Sequence, residues 1–177
     1  MSGTVKSEHG LLIVHTGNGK GKTTAALGML LRAWGWDMKA AMLQFVKHSG
    51  LDCGEHRAAR RMNLEIISHG AGCTLHHEVS KKDAEMAAEL WQMAKVKILS
   101  GDYQMMILDE LSYPLRHGWV SLLEVIEVLA RRGATHIVVT GRNMSAEIID
   151  AADLVTEMKE IKHPLKSGVR AQRGIEF

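Results

Sequence analysis

Apolar residues along the chain fall into short runs that alternate with longer stretches of helical periodicity. The short runs predict buried strands at 11–14, 40–46, 64–67, 105–108, 136–140 and 154–158. The periodic stretches between them predict helices at 23–34, 54–62, 81–99, 121–131 and 145–151. This alternation favours an α/β fold with a mostly parallel sheet covered by helices on both faces. In such folds ligands bind at the carboxyl ends of the strands.

The longest predicted helix, 81–99, begins after Ser80, which precedes Asp83 by three residues in the manner of a capping box. Its apolar residues predict one broad stripe that packs on the sheet. The residues of the predicted stripe are Ala84, Ala87, Ala88, Trp91, Ala94, Val96 and Ile98.

The stretch between the first predicted strand and helix, TGNGKGKT at 16–23, has the composition of a phosphate-binding loop. Its glycines allow the backbone to bend and point amide groups at an anion, at the positive end of the helix dipole. Lys22 can bridge phosphate oxygens, and the Thr23 hydroxyl can ligate Mg²⁺. The strict pattern has glycine where this chain has Thr16, so we expect a differently shaped turn. The loop predicts ATP or GTP as the ligand.

Two carboxylates follow the apolar run at 105–108, namely Asp109 and Glu110. A buried strand of this kind delivers its last side chains to the carboxyl edge of the sheet. Small hard cations prefer oxygen ligands, so Asp109, Glu110 and Thr23 are the predicted Mg²⁺ ligands, directly or through water. The alternative is an acidic pair that only ends a strand at the surface.

The bulk composition indicates one globular domain, since 46% of the 177 residues are hydrophobic and 24% are charged. We expect a flexible arm at 1–9 and one domain at 10–177. A net charge of +2 disfavours nucleic acid as a partner. No apolar run approaches the roughly 18 residues of a membrane span, and two cysteines make no disulfide framework, so a cytoplasmic location is expected.

Zinc is an alternative ligand for a group of cysteines and histidines in the first half of the chain, Cys53, His56, Cys73 and His76. Their spacing is loose and lacks paired C-x-x-C ligands. In a chain with ten histidines, solvated loop residues are the favoured interpretation.

Over most of its length the sequence resembles the ATP:corrinoid adenosyltransferases of the phosphate-loop type. The similarity lies in 16–26, where the family departs from the strict loop in the same way, in QFVK at 44–47, in LDELSY at 108–113 and in TGR at 140–142. The resemblance implies a RecA-like fold and transfer of the 5′-deoxyadenosyl group from ATP to Co(I) of a reduced corrinoid such as cobalamin, with release of triphosphate. It also implies a homodimer and a reduced flavoprotein as electron donor.

The same resemblance implies roles for individual residues. Lys20, Lys22, Thr23 and Mg²⁺ would neutralise the triphosphate, with Lys22, Thr23 and Glu110 as the catalytic residues. Asn18 and Arg32 would place the nucleoside, and Arg142 would contact a phosphate. The residues expected to bind ATP are Thr16, Gly17, Asn18, Gly19, Lys20, Gly21, Lys22, Thr23, Thr24, Arg32 and Arg142.

One stretch departs from the family pattern. Family members can carry aromatic residues after the third strand that press on the lower corrin face, whereas residues 72–77 here read GCTLHH. We expect Leu75 to supply apolar cover in their place.

Two other functions remain open on the residues alone. One is a RecA-like ATPase or small-molecule kinase, in which Glu110 would orient water or a hydroxyl toward the γ-phosphate. The other is a non-catalytic corrinoid carrier that uses ATP as a conformational signal. The products distinguish these possibilities, because only adenosyl transfer releases intact triphosphate.

Overall fold

A computed structural model describes residues 9–48, 53–70 and 80–176 of the chain. Over these residues six strands form one parallel sheet in the order β3-β2-β4-β5-β1-β6. The strands are β1 (Leu12–Thr16), β2 (Ala40–His48), β3 (Glu65–Gly70), β4 (Met105–Asp109), β5 (His136–Thr140) and β6 (Leu154–Glu157).

Helices connect these strands, and two short ones were not predicted from the sequence. The helices are α1 (Lys22–Trp34), α2 (Gly54–Met62), α3 (Lys81–Ser100), α4 (Ser112–Arg116), α5 (Leu122–Ala130), α6 (Ala146–Ala151) and a 3₁₀ helix at Pro164–Ser167. The two missed elements are α4 and the 3₁₀ helix. Each is about one turn long and contains a proline, so neither offers the apolar periodicity by which a helix is recognised.

Helices cover both faces of the sheet, which confirms the predicted fold class. Successive residues of a strand point to opposite faces, so β1 supplies two cores. Leu12 and Val14 belong to the core that includes Trp91 of α3. Ile13 belongs to the core that includes Leu30 of α1. The described residues include no helix long and apolar enough to cross a membrane.

Helix α3 begins as predicted, and four residues of the predicted stripe are buried, Ala87, Trp91, Ala94 and Ile98. The Ser80 hydroxyl accepts a hydrogen bond from the Asp83 amide at 3.3 Å, and the Asp83 carboxylate accepts one from the Ser80 amide at 2.8 Å. The inclusion of Val96 in the buried stripe was wrong, because this side chain is 69% exposed. Leu90 is buried instead, since it lies one helical turn before Ala94 whereas Val96 is rotated away.

Strand β3 is longer than predicted, because the sequence placed a loop from residue 69 onward. The strand continues to Gly70 through its pairing with β2, which itself extends to His48. A Cβ on Gly70 would lie 2.8 Å from the Phe45 carbonyl oxygen, so the close strand contact requires glycine there.

A buried arginine ties the amino end of β1 to the later part of the chain. Arg132 donates to the Gly10 carbonyl at 2.6 Å, to the Leu129 carbonyl at 2.9 Å and to the Asp153 carboxylate at 2.9 Å. Asp153 also accepts the Leu12 amide at 2.7 Å.

We expect Arg132→Met to lower the free energy of unfolding by about 3 kcal/mol, because two carbonyls and the Asp153 carboxylate lose the guanidinium that bonds them. Urea denaturation measures the change. Arg131→Met is the matched control, because Arg131 is exposed. An equal loss in both variants would contradict the assignment.

Candidate active site

The loop between β1 and α1 packs against the backbone that follows β6. The Gly19 amide donates to the Met158 carbonyl at 2.7 Å, and the Met158 amide donates to the Thr16 carbonyl at 2.9 Å. Gly17 has a φ of 93°, and a Cβ there would lie 2.4 Å from the Met158 carbonyl oxygen. The backbone path therefore requires glycine at this point.

Thr16, which replaces the first glycine of the strict loop pattern, ends β1 rather than starting the turn. Its side chain is buried, and its hydroxyl accepts a hydrogen bond from the Met144 amide at 3.3 Å. Glycine could not accept that bond. The threonine thus joins the start of the loop to the segment before α6.

Lys22 lies across the loop with 5% of its surface exposed. Its Nζ donates to the carbonyls of Gly17 and Gly19, each at 2.8 Å. Burial lowers the pKa of Lys22, and nearby Arg142 acts in the same direction, while Glu110 and Asp109 oppose the shift. The ammonium group is therefore held by the loop near two acidic side chains.

Asp109 is 1% exposed and accepts hydrogen bonds from both threonines that face it. Its Oδ1 atom lies 2.9 Å from Thr23 Oγ1 and 2.7 Å from Thr140 Oγ1, and both hydroxyls donate. The structure thus brings together Thr23 and Asp109, two of the three predicted metal ligands. The sequence reasoning assigned no role to Thr140.

Glu110 adopts a left-handed backbone conformation, with a φ of 61°. Its amide donates to Thr140 Oγ1 at 2.9 Å, which fixes the turn. Burial raises the pKa of Glu110 and the Asp109 charge adds to the rise, while Lys22, Arg142 and Arg116 act against it. Strained non-glycine backbone of this kind is concentrated at functional sites. No motif in the sequence indicates that Arg116, on the unpredicted helix α4, acts on this carboxylate.

The other predicted nucleotide-binding residues near the loop differ in their contacts and exposure. Lys20 forms an ion pair with Glu176, and Arg142 is exposed but acts electrostatically on both Lys22 and Glu110. Asn18 and Thr24 are exposed on and just after the loop.

The structure does not bring Arg32 to the loop. Arg32 lies in the last turn of α1, ten residues after Lys22 and therefore about 15 Å along the helix axis. It lines an apolar cavity with Trp36 and Met38 instead.

A row of polar side chains crosses the sheet at its carboxyl edge, with one residue from each strand. Ser68 pairs in register with Gln44, Gln44 with Asp109, Thr140 with His15, and His15 with Thr156. Asp109 was predicted because it follows an apolar run, and the same signal could have found Gln44, which follows four apolar residues, and Thr140, which ends β5. We call this set the polar row, and its members are Ser68, Gln44, Asp109, Thr140, His15 and Thr156.

His15 is a buried member of the polar row. Burial lowers its pKa, which favours a neutral ring, and among the described residues neither ring nitrogen has a hydrogen-bond partner.

The residues of the zinc alternative are only partly described. Cys53 is buried, and His56 Nε2 faces Gln44 and Ser68. Cys73, His76 and the predicted corrin-facing Leu75 lie outside the described residues. Within residues 9–48, 53–70 and 80–176, no three or more His, Cys, Asp or Glu side chains group in a way that could hold a metal ion.

Comparison with known proteins finds a family model and several relatives that match this chain. The model of the ATP:corrinoid adenosyltransferase BtuR/CobO/CobP family matches residues 8–177. Corrinoid adenosyltransferase from Pseudomonas aeruginosa is 40% identical over 175 residues, which cover 97% of this chain and 86% of that protein. Corrinoid adenosyltransferase from Escherichia coli K12 is 35% identical over 173 residues, covering 97% and 88%.

The fold has a likeness among solved structures. The flagellar accessory protein FlaH from Methanocaldococcus jannaschii superposes with a TM-score of 0.57 over 84% of this chain and 71% of that one. At 12% identity this likeness concerns the fold alone.

Proposed function

This chain belongs to the ATP:corrinoid adenosyltransferase family, and we propose that the loop at 16–24, Asp109 and Glu110 form its ATP site. The enzyme transfers the 5′-deoxyadenosyl group from ATP to Co(I) of a reduced corrinoid. Cobalt supplies the electron pair of the new cobalt–carbon bond, and the bond between C5′ and its oxygen breaks, so that triphosphate leaves with that pair. The observation that carries the proposal is the meeting of Lys22 with the Thr23–Asp109 pair at one loop.

The chemistry needs positioning and charge neutralisation more than proton transfer. Co(I) is already a strong nucleophile and carries no proton to remove, so a general base has no task in this step. The main demand is the negative charge that develops on the leaving triphosphate. Lys22 would meet it after exchanging its bonds to the loop carbonyls for bonds to phosphate oxygens. Lys20 would do the same after releasing Glu176.

The acidic side of the site fits Mg²⁺, because its donors are all oxygens. The Thr23 hydroxyl donates a hydrogen bond to Asp109. The lone pairs of the Thr23 oxygen therefore remain available to a cation. Glu110 would hold the ion beside them, directly or through water. Bound Mg²⁺ would neutralise part of the triphosphate charge. Lys22, Thr23 and Glu110 are therefore the proposed catalytic residues.

Residues around the loop would orient the rest of ATP. Asn18 is exposed on the loop and would contact the nucleoside, while Arg142 would approach a phosphate from the turn after β5. Arg32 is left out of this site because α1 carries it to the opposite end of the sheet.

We also propose the wider setting that the resemblance implies. The chain would act as a homodimer in the cytoplasm and receive electrons for cobalt from a reduced flavoprotein. Residues 1–8 of the predicted arm at 1–9 lie outside the described residues.

One anaerobic experiment tests the function and its alternatives together. The protein is incubated with ATP, Mg²⁺ and chemically reduced cobalamin, while the visible spectrum and the phosphorus-containing products are followed. We expect an alkylated cobalamin spectrum together with one triphosphate per cobalt. Orthophosphate or ADP without alkylated cobalt would instead indicate an ATPase or kinase, and a complex that forms no product would indicate a carrier.

A further inference from the structure

Gln44 contacts the proposed metal site from the strand next to Asp109. It is fully buried in β2, and its side-chain Nε2 donates to Asp109 Oδ2 at 3.3 Å. The two threonines hold the other oxygen of the same carboxylate. Asp109 is therefore bonded on both of its oxygens, and this fixes the plane of the carboxylate.

Two side chains on its far side also hold the Gln44 amide. Ser68 Oγ donates to Gln44 Oε1 at 2.7 Å, and His56 Nε2 lies 2.8 Å from that same oxygen. A reversed amide would turn its oxygen toward a carboxylate that can only accept. It would also turn its NH₂ group toward Ser68 and His56. Only the observed orientation gives the Asp109 carboxylate a donor, whereas Ser68 and His56 can each donate or accept.

We propose that Gln44 is a positioning residue for adenosyl transfer. Held by Ser68 and His56, it orients Asp109, and through Asp109 it orients the Thr23 hydroxyl toward the metal and the triphosphate. The inference rests on the proposed metal site. The metal is Mg²⁺ or a divalent ion that also prefers oxygen ligands. Gln44 would affect the affinity of the protein for this ion rather than the chemistry at cobalt.

The network predicts graded effects along its length. Without Gln44, the Oδ2 atom of Asp109 loses its donor and the carboxylate can rotate away from Thr23. Without Ser68, the Gln44 amide keeps His56 as one partner and loses only part of its constraint. Removing a supporting group of this kind typically lowers metal affinity by about tenfold or more.

The test measures metal binding separately from turnover. Mn²⁺ is titrated into the protein in the presence of a non-hydrolysable ATP analogue and followed by electron paramagnetic resonance. The variants are Gln44→Met, which keeps the volume but removes the amide, and Ser68→Ala. The control is Gln104→Met, which alters a glutamine that bonds the Lys39 amide at the opposite end of the sheet.

We expect Mn²⁺ affinity to fall by about tenfold in Gln44→Met, by less in Ser68→Ala and not at all in Gln104→Met. Binding of the analogue without metal, and KM for reduced cobalamin, should stay the same in all four proteins. If metal-free analogue binding fell as much as metal affinity, Gln44 would be only structural and the inference would be overturned. Thermal melting identifies any variant that fails to fold, and Ser68→Ala alone then decides the outcome.

The same titration distinguishes failure of the proposed metal site from failure of the proposed role of Gln44. If wild-type protein bound the analogue equally well with and without Mn²⁺, the proposed metal site would fail and this inference with it. If wild type required the metal and both network variants kept full metal affinity, only the role of Gln44 would be overturned.

Discussion

Replacing Lys22 by alanine is expected to lower kcat by about a thousandfold. An ammonium group about 4 Å from a phosphate charge, at an effective dielectric near 20, contributes roughly 4 kcal/mol. If this energy appears mainly as the triphosphate leaves, the rate changes about tenfold for each 1.4 kcal/mol. The thermal midpoint should change little, because removing the side chain leaves room for water to donate to the loop carbonyls that Lys22 contacts.

The measurement is the rate of alkylcobalamin formation at saturating ATP with prereduced cobalamin. Lys81→Ala is the matched control, since Lys81 is exposed in the first turn of α3, on another element of the structure. A near-normal rate in Lys22→Ala would refute the assignment of Lys22 to the triphosphate.

Asp109→Asn is expected to be the second most damaging change, with kcat at limiting Mg²⁺ lower by about a hundredfold. Asparagine has the same shape but carries an NH₂ group. If that group faces Gln44, two donors meet, and if it faces the threonines, it replaces the oxygen that accepts both hydroxyls. We also expect about 2 kcal/mol of lost stability, because these partners are buried.

Kinetics over a range of Mg²⁺ concentrations, with urea denaturation alongside, measure both effects. Asp102→Asn makes the same chemical change at an exposed position before β4 and should change neither. If Asp109→Asn required no more Mg²⁺ than wild type, the carboxylate would have no role at the metal.

The sequence predicted the architecture because each strand carries its own apolar run. It also predicted that Lys22, Thr23, Asp109 and Glu110 would meet, since the carboxyl ends of parallel strands share one edge of a sheet. Lys22, Thr23 and Asp109 follow from local motifs, and the structure places them together. Their chemical roles stay predictions.

What the sequence did not show depends on pairing between distant segments. Gln44 lies next to Asp109 only because β2 and β4 are neighbours in the sheet, although 65 residues separate them along the chain. Thr140 likewise contacts Asp109 only because its strand, β5, pairs with β4. Such pairs carry no local pattern, because their spacing is set by strand order rather than by periodicity.

The differences between prediction and structure at Val96 and Arg32 have simpler causes. Val96 was assigned to the buried stripe of α3 because it is apolar, although its angle around the helix points it to solvent. The resemblance implies that Arg32 binds ATP, but the length of α1 separates this side chain from the loop.

The position of β1 in the sheet determines when the first strand can fold during synthesis. Its neighbours in the sheet are β5 and β6, whose first paired residues, Ile137 and Leu154, come more than a hundred residues later. During synthesis the segment that carries the nucleotide loop leaves the ribosome well before β5 and β6, and β1 has no neighbouring strand to pair with until they follow. A nascent chain that stops before residue 136 should therefore contain the whole loop motif and still bind no ATP.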